Sequence, residues 1–164
     1  MKSADGWMKD GNPEQYEIGI DDSTVHNASP SLAIRFNSDD EPAGFAAAFQ
    51  NLEARKFLDK RLRMTAFVKT EQVDGAGLWM RVDGPNEDQP LAFDNMFTRQ
   101  IKNTTDWKRY EVVLDIPARA TGISYGALLN GKGQVWVADF NFEEVGNDVA
   151  TTVKKPRKTA TRSA

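Results

Sequence analysis

The stretch from residue 105 to residue 145 constrains the fold most. Thr105-Asp106-Trp107-Lys108-Arg109-Tyr110 leads into the alternating run Glu111-Val112-Val113-Leu114-Asp115-Ile116 and is stopped by Pro117. A second run, Gly122 to Leu129, meets a Gly131-Lys132-Gly133 turn, and a third extends from Gln134 to Val145. Side chains alternate across a strand, so period-2 patterning cut by Gly and Pro marks half-buried antiparallel strands. Further runs precede them. Gln15 to Ile20 and Ser31 to Phe36 alternate, and Phe45 to Leu52 is apolar nearly throughout, as in a strand buried on both faces. Arg61 to Thr70 alternates again, and Ala76 to Val82 pairs with Leu91 to Met96 across a polar loop. Strand centres lie too close together for crossover helices, which excludes a parallel βαβ layout. Only Asn51 to Lys60 has any helical character. The expectation is an all-β, antiparallel two-sheet β-sandwich of jelly-roll type, with eight or nine strands and little helix.

At 164 residues, 40% apolar and 10% aromatic, the chain suits one domain with one core. That domain is expected over 1–146, with 147–164 as a flexible basic tail. Five of the 21 basic residues (Lys154, Lys155, Arg157, Lys158 and Arg162) lie in 151–164 with no acid among them. The body is left with 16 basic against 24 acidic residues, a net charge of −8. Such a body repels phosphate backbones, so nucleic acid is not an expected partner except through the tail. No apolar run is long enough for a bilayer, and the N-terminus lacks the apolar segment of a secretory signal; the expected location is cytoplasmic.

Several chemistries are excluded. With no cysteine, disulfides, thiolate metal sites and a Cys nucleophile are absent. Gly75-Ala76-Gly77 lacks the remaining elements of a phosphate loop. There is no Gly-x-Ser-x-Gly elbow, and His26 is the only imidazole for a triad or a transition-metal site.

The segment 79–99 concentrates groups suited to a polar ligand: Trp79, Arg81, Phe93, Asp94, Asn95 and Arg99. Trp79 and Arg81 share parity, opposite to Leu78, Met80 and Val82, which form the natural core side. An outward Trp beside an Arg marks a binding face. On the partner strand Phe93 and Asn95 share one parity and Asp94 the other, and sequence does not set which faces Trp79. Trp107, Trp136 and Tyr110 read as packing residues.

The run Thr105 to Pro117 resembles the Trp-x-x-Tyr-strand-Pro segment of galactose-binding-like jelly rolls, which include many carbohydrate-binding modules. Gly131-Lys132-Gly133-Gln134-Val135-Trp136-Val137-Ala138-Asp139-Phe140 resembles their closing strand, with Ala138 replacing the first of two acids. Tyr16 to Phe36 resembles their opening hairpin. Gly77 to Asp83 with Leu91 to Met96 is similar to bacterial domains found alone or fused to AraC-type regulators. The resemblance implies a non-catalytic module that binds a carbohydrate or another small polar ligand, in a ligand-sensing regulatory form where a DNA-binding partner exists. Trp79 would stack, Arg81 and Arg99 donate, and Asp94 and Asn95 orient. It also implies a structural calcium, for which Asp21, Asp22 and Asp139 are the candidate ligands; no other cofactor is expected. Two other readings remain open at this point. One is a small enzyme (lyase, isomerase or cyclase) with Asp94 or His26 as acid–base. The other is a protein-interaction or homodimerisation domain meeting its partner through the Trp79 face.

Overall fold

A computed structural model describes residues 1–86 and 88–153. The basic cluster from Lys154 to Arg162 lies outside the described residues. The alternating segments fold into β1 (Lys2–Ser3), β2 (Met8–Gly11), β3 (Tyr16–His26), β4 (Ser29–Phe36), β5 (Phe45–Leu52) and β6 (Lys60–Asp83). They continue as β7 (Ala92–Asp94), β8 (Ile101–Ile116), β9 (Gly122–Asn130) and β10 (Gln134–Val145). The expected all-β antiparallel sandwich is therefore the observed one, with ten strands among the described residues rather than eight or nine. The helical character of 51–60 reduces to one 3₁₀ turn, Ala54–Phe57, between two strands.

Arg61–Thr70 and Ala76–Val82, expected as separate strands, are one 24-residue strand, β6. The strand serves two layers. Residues 61–71 pair with β10, and residues 75–83 pair with β9. On its other edge β6 carries β8 and then β7. The strand order β1-β3-β4-β10-β6-β9-β5-β2 thus folds over at the middle of β6 into two packed sheets. The polar run Gln72-Val73-Asp74-Gly75, which reads as a break, is the bend. Pairing with β8 shifts register there repeatedly, as bulges do when a strand turns from one sheet into another.

The β9–β10 turn is built against this bend. The Asp74 carboxylate accepts the Lys132 backbone NH at 2.7 Å. Gly133 has φ +98°, and a Cβ there would lie 2.5 Å from the Gln72 carbonyl oxygen. Gly133→Ala is therefore expected to lower stability by roughly 2 kcal/mol, from left-handed strain alone, and further through the backbone collision. The urea unfolding midpoint measures it.

Between the layers, alternate residues of β6 (Leu62, Met64, Leu78, Met80, Val82) meet Val112 and Leu114 of β8, Ile123 and Leu129 of β9, and Val135 and Val137 of β10. Burial of each large side chain contributes about 1.5–3 kcal/mol. Trp7 covers one end of this core, packing against Tyr125 and Phe140 at ring-centroid distances of 6.1 and 5.6 Å. Residues 149–153, expected to be part of a tail, are instead seated on the body. Thr152 pairs with Val113 on the free edge of β8, and Val153 packs against the core.

Candidate ligand-binding groove

The outer face of the layer formed by β2, β5, β9 and the second half of β6 carries a groove of about 260 Å³. It is lined by Asp10 from β2, Phe45 and Ala47 from β5, Trp79 and Arg81 from β6, Leu128 and Asn130 from β9, Phe93 from β7 and Asn95 just after it. The register that sequence left open is settled by pairing. Arg81 is opposite Phe93 and Met80 opposite Asp94. Phe93 therefore shares the outer face with Trp79 and Arg81, while Asp94 turns inward.

Trp79 is the floor of the groove rather than an exposed platform. It is 7% exposed, held in a small outer cluster with Ala47, Leu128 and Phe49. Its Nε1–H donates to the Ala127 carbonyl at 3.3 Å, and its ring meets that of Phe49 at 5.5 Å. Small residues make this possible. Gly126 lies opposite both Trp79 and Phe49 in the ladders, and a Cβ there would meet the Ala48 carbonyl oxygen. Of the aromatic rings lining the groove, those open to solvent are Phe93, 42% exposed, and Phe45, 39% exposed.

Polar groups stand around this apolar floor. Arg81 uses Nε to reach Asp83 at 3.1 Å, leaving its two terminal nitrogens without a partner among the described residues. The Asn95 side-chain oxygen accepts the Phe97 NH, which leaves its amide nitrogen free to donate. Asp10 accepts the Gly11 NH at 2.8 Å, and Asn130 makes one long contact of 3.5 Å to Gln100. An apolar floor with flanking aromatic faces and unsaturated hydrogen-bonding groups matches the two-sided character of a sugar ring.

Of the six residues expected to line the site, Trp79, Arg81, Phe93 and Asn95 come together. Asp94 and Arg99 do not join them. They form a bidentate pair behind β7, at 3.0 and 2.6 Å, with the Asp94 residue 3% exposed. Both are occupied with each other and are not placed to orient a ligand in the groove. Phe45, Ala47, Leu128, Asn130 and Asp10 were not anticipated. The alternation Phe45-Ala47-Phe49 against Ala46-Ala48 is the available signal, masked because the run is apolar nearly throughout.

A larger hollow, about 580 Å³, lies on the other side of β2 and shares Asp10 with the groove. Its one ring, Tyr16, is buried, with its hydroxyl donating to the Gly131 carbonyl at 2.8 Å. It offers no aromatic face for stacking and is the weaker candidate.

The three acids considered for calcium are engaged separately. Asp22 pairs with Lys2 at 2.5 Å, and Asp139 takes His26 Nδ1 at 2.6 Å. Asp21 accepts Ser23 Oγ at 2.7 Å and the Trp136 indole NH at 2.9 Å. Among the described residues no three His, Asp or Glu side chains are grouped to hold a metal ion. These acids do not fit the calcium site implied by the resemblance. The Ser23 hydroxyl, then the Trp136 indole and the Ser23 and Thr24 amides, hold the Asp21 carboxyl down at about 2 against the opposing effect of partial burial. A depressed folded-state value stabilises above the unfolded value of 3.8 and is lost as pH falls through about 2. The stability difference between the wild type and Asp21→Ala should therefore be full at neutral pH and shrink between pH 4 and 2, followed by acid titration of the unfolding midpoint.

His26 closes the β3–β4 hairpin, whose two turn residues, Asn27 and Ala28, both have positive φ. Its ring stacks on Phe67 at 3.9 Å, with Trp107 at 5.3 Å. This aromatic brace is on the layer opposite the groove.

No family model matches the chain. It is 42% identical over 153 residues to the uncharacterized HTH-type transcriptional regulator YbfP of Bacillus subtilis, covering 92% of this chain and 52% of that protein. The chain thus spans about half the length of the curated relative it matches. Among solved structures, the CBM22-1 xylan-binding domain of Paenibacillus barcinonensis Xyn10C superposes with a TM-score of 0.59 at 11% identity, over 88% of this chain and 89% of that one. TmCBM61, solved with β-1,4-galactotriose, gives 0.55 at 15% identity, over 87% and 91%. The β-sandwich fold is shared with these two modules. Among the described residues no helix is long and apolar enough to cross a membrane.

Proposed function

We propose that the groove floored by Trp79 binds a carbohydrate, and that the domain serves as the ligand-sensing part of a bacterial transcriptional regulator. The observation that carries the reading is the convergence of Phe93, Phe45, Arg81 and Asn95 over one apolar floor on the outer face of a carbohydrate-binding fold. In this reading the exposed faces of Phe93 and Phe45 take the C–H side of a sugar ring. The free Arg81 nitrogens and the Asn95 amide donate to its hydroxyls, and Asp10 accepts from them. Among the described residues Asp10 is the one carboxylate in the groove lining, and the role proposed for the groove is recognition. Resemblance to regulator-fused domains and 42% identity to an HTH-type regulator support the sensing role.

Thermal unfolding in the presence of xylohexaose, β-1,4-galactotriose and a panel of mono- and disaccharides tests it. Ligand that binds the native state alone raises the midpoint by mass action, by about 2.7 kcal/mol of stability at 100-fold over Kd. A sugar-dependent rise is expected. A midpoint unmoved by every sugar, with a rise for other small polar compounds, would assign the groove to a different ligand class.

A further inference from the structure

Asp94 stands between two groove residues, Phe93 and Asn95, yet its carboxylate points the opposite way. Each of its oxygens is taken twice. Oδ1 accepts the Met96 NH at 2.9 Å and Arg99 Nη1 at 3.0 Å. Oδ2 accepts Arg99 Nη2 at 2.6 Å and the Thr152 hydroxyl at 2.5 Å. That hydroxyl belongs to a segment 58 residues further along the chain.

Thr152 is also fastened to β8. Its NH donates to the Val113 carbonyl at 3.0 Å, and its Oγ1 accepts the Val113 NH at 2.9 Å. A hydroxyl has one proton, and the contact at 2.5 Å to a carboxylate takes it in preference to the 3.2 Å contact to the Val113 carbonyl. One side chain therefore ties three things together: the free edge of β8, the segment 149–153, and the strand that presents Phe93 and leads into Asn95. Arg61 Nη1 adds a second anchor on the segment, donating to the Val149 carbonyl at 2.7 Å.

We propose that Thr152 is a positioning residue for the groove, and that occupancy of the groove is coupled through Asp94 to docking of residues 149–153 on β8. The coupling rests on the reading of the groove as a carbohydrate site; the positioning role does not. The physical reason lies in β7. It is three residues long and pairs with β6 at only three positions. So short a strand belongs to the weakly held part of a fold. Its placement depends on what grips Asp94 from behind. A sugar held by Phe93 and Asn95 steadies β7 from the front, and Thr152 steadies it from the back. Each then finds the strand already ordered by the other, which is positive coupling, and it acts equally in both directions.

The test compares Thr152→Val, which keeps the shape and removes the hydroxyl, with Thr152→Ser, which keeps the hydroxyl. Amide hydrogen exchange is read at Asn95 and Met96, next to β7, and at Ile34 of β4 and Val137 of β10 as controls within the core, away from β7. Titration with xylohexaose and β-1,4-galactotriose follows on the same proteins. Thr152→Val is expected to exchange about tenfold faster at Asn95 and Met96 with the controls unchanged, and to bind the saccharides several-fold more weakly. Thr152→Ser is expected to match the wild type in both. Wild-type exchange at Asn95 and Met96 in Thr152→Val would overturn the positioning role. Faster exchange with unchanged saccharide affinity would overturn the coupling. Wild-type protein that binds neither saccharide nor any other sugar would remove the carbohydrate reading and the coupling that rests on it, while the exchange data still decide what Thr152 does to β7.

Discussion

Asp94→Ala is expected to lower stability by roughly 3 kcal/mol, within the range for breaking a buried ion pair by removing one partner. The Asp94 side chain is almost wholly inaccessible, whereas Arg99 retains about a third of its exposure, so part of the Arg99 charge returns to water and the loss should fall at the lower end. The variant also strands the Met96 NH and leaves the Thr152 hydroxyl only its longer contact to the Val113 carbonyl, at 3.2 Å. Met96 itself sits in the left-handed region at φ 59°, a conformation that the Asp94 contact to its NH helps to hold. Equilibrium unfolding in urea measures the loss, with the slope unchanged if the native state keeps its compactness. A change under 0.5 kcal/mol would mean that the pair contributes little and that β7 is held by its ladder alone.

Phe93→Ala is expected to separate binding from folding. Phe93 is an exposed residue on a short strand, so its truncation should shift the unfolding midpoint little. As the aromatic face of the groove it is expected to carry hot-spot energy of about 2 kcal/mol, a roughly 30-fold loss of affinity for a bound saccharide. Trp79→Ala makes the contrast. Removing the buried floor should cost about 3–5 kcal/mol of stability and abolish binding with it, so it reports on the groove less cleanly. Calorimetric titration of Phe93→Ala beside the wild type reads the first effect. Equal affinities would place the saccharide elsewhere.

Much of the architecture was legible in the pattern of residues. Phe45–Leu52, from its apolar run, and Gln134–Val145, from the Gly131-Lys132-Gly133 turn before it, appear as strands with the expected bounds. The edge strands β1 and β2 were not legible, because Lys2-Ser3 and Met8-Lys9-Asp10-Gly11 are short and exposed, and no apolar face announces them. The continuity of β6 was hidden for a different reason. Asp74-Gly75 is punctuation in sequence, but in three dimensions it marks the place where one strand passes from one layer to the other.

The groove was half legible. Parity puts Trp79 and Arg81 on one face, and both line the groove, since side-chain alternation is local. Whether Phe93 or Asp94 accompanied them depended on register across a loop, which local pattern does not carry. The depth of Trp79 depended on Ala47, Phe49 and Leu128, which approach from strands distant in sequence. Asp94 and Arg99 have the chemistry of ligand contacts, and sequence alone groups them with the site. Their five-residue spacing hid that the turn Phe97–Arg99 folds them back onto each other.

The most direct measurement is amide chemical-shift mapping of the labelled protein titrated with xylohexaose, β-1,4-galactotriose and the sugar panel. Carbohydrate recognition in the groove is expected to perturb residues 45–49, 79–81, 93–95 and 126–130, with little change around Phe67, Trp107 and Trp136 on the opposite layer. Perturbations confined to that opposite layer, or spectra unchanged by every sugar, would contradict it.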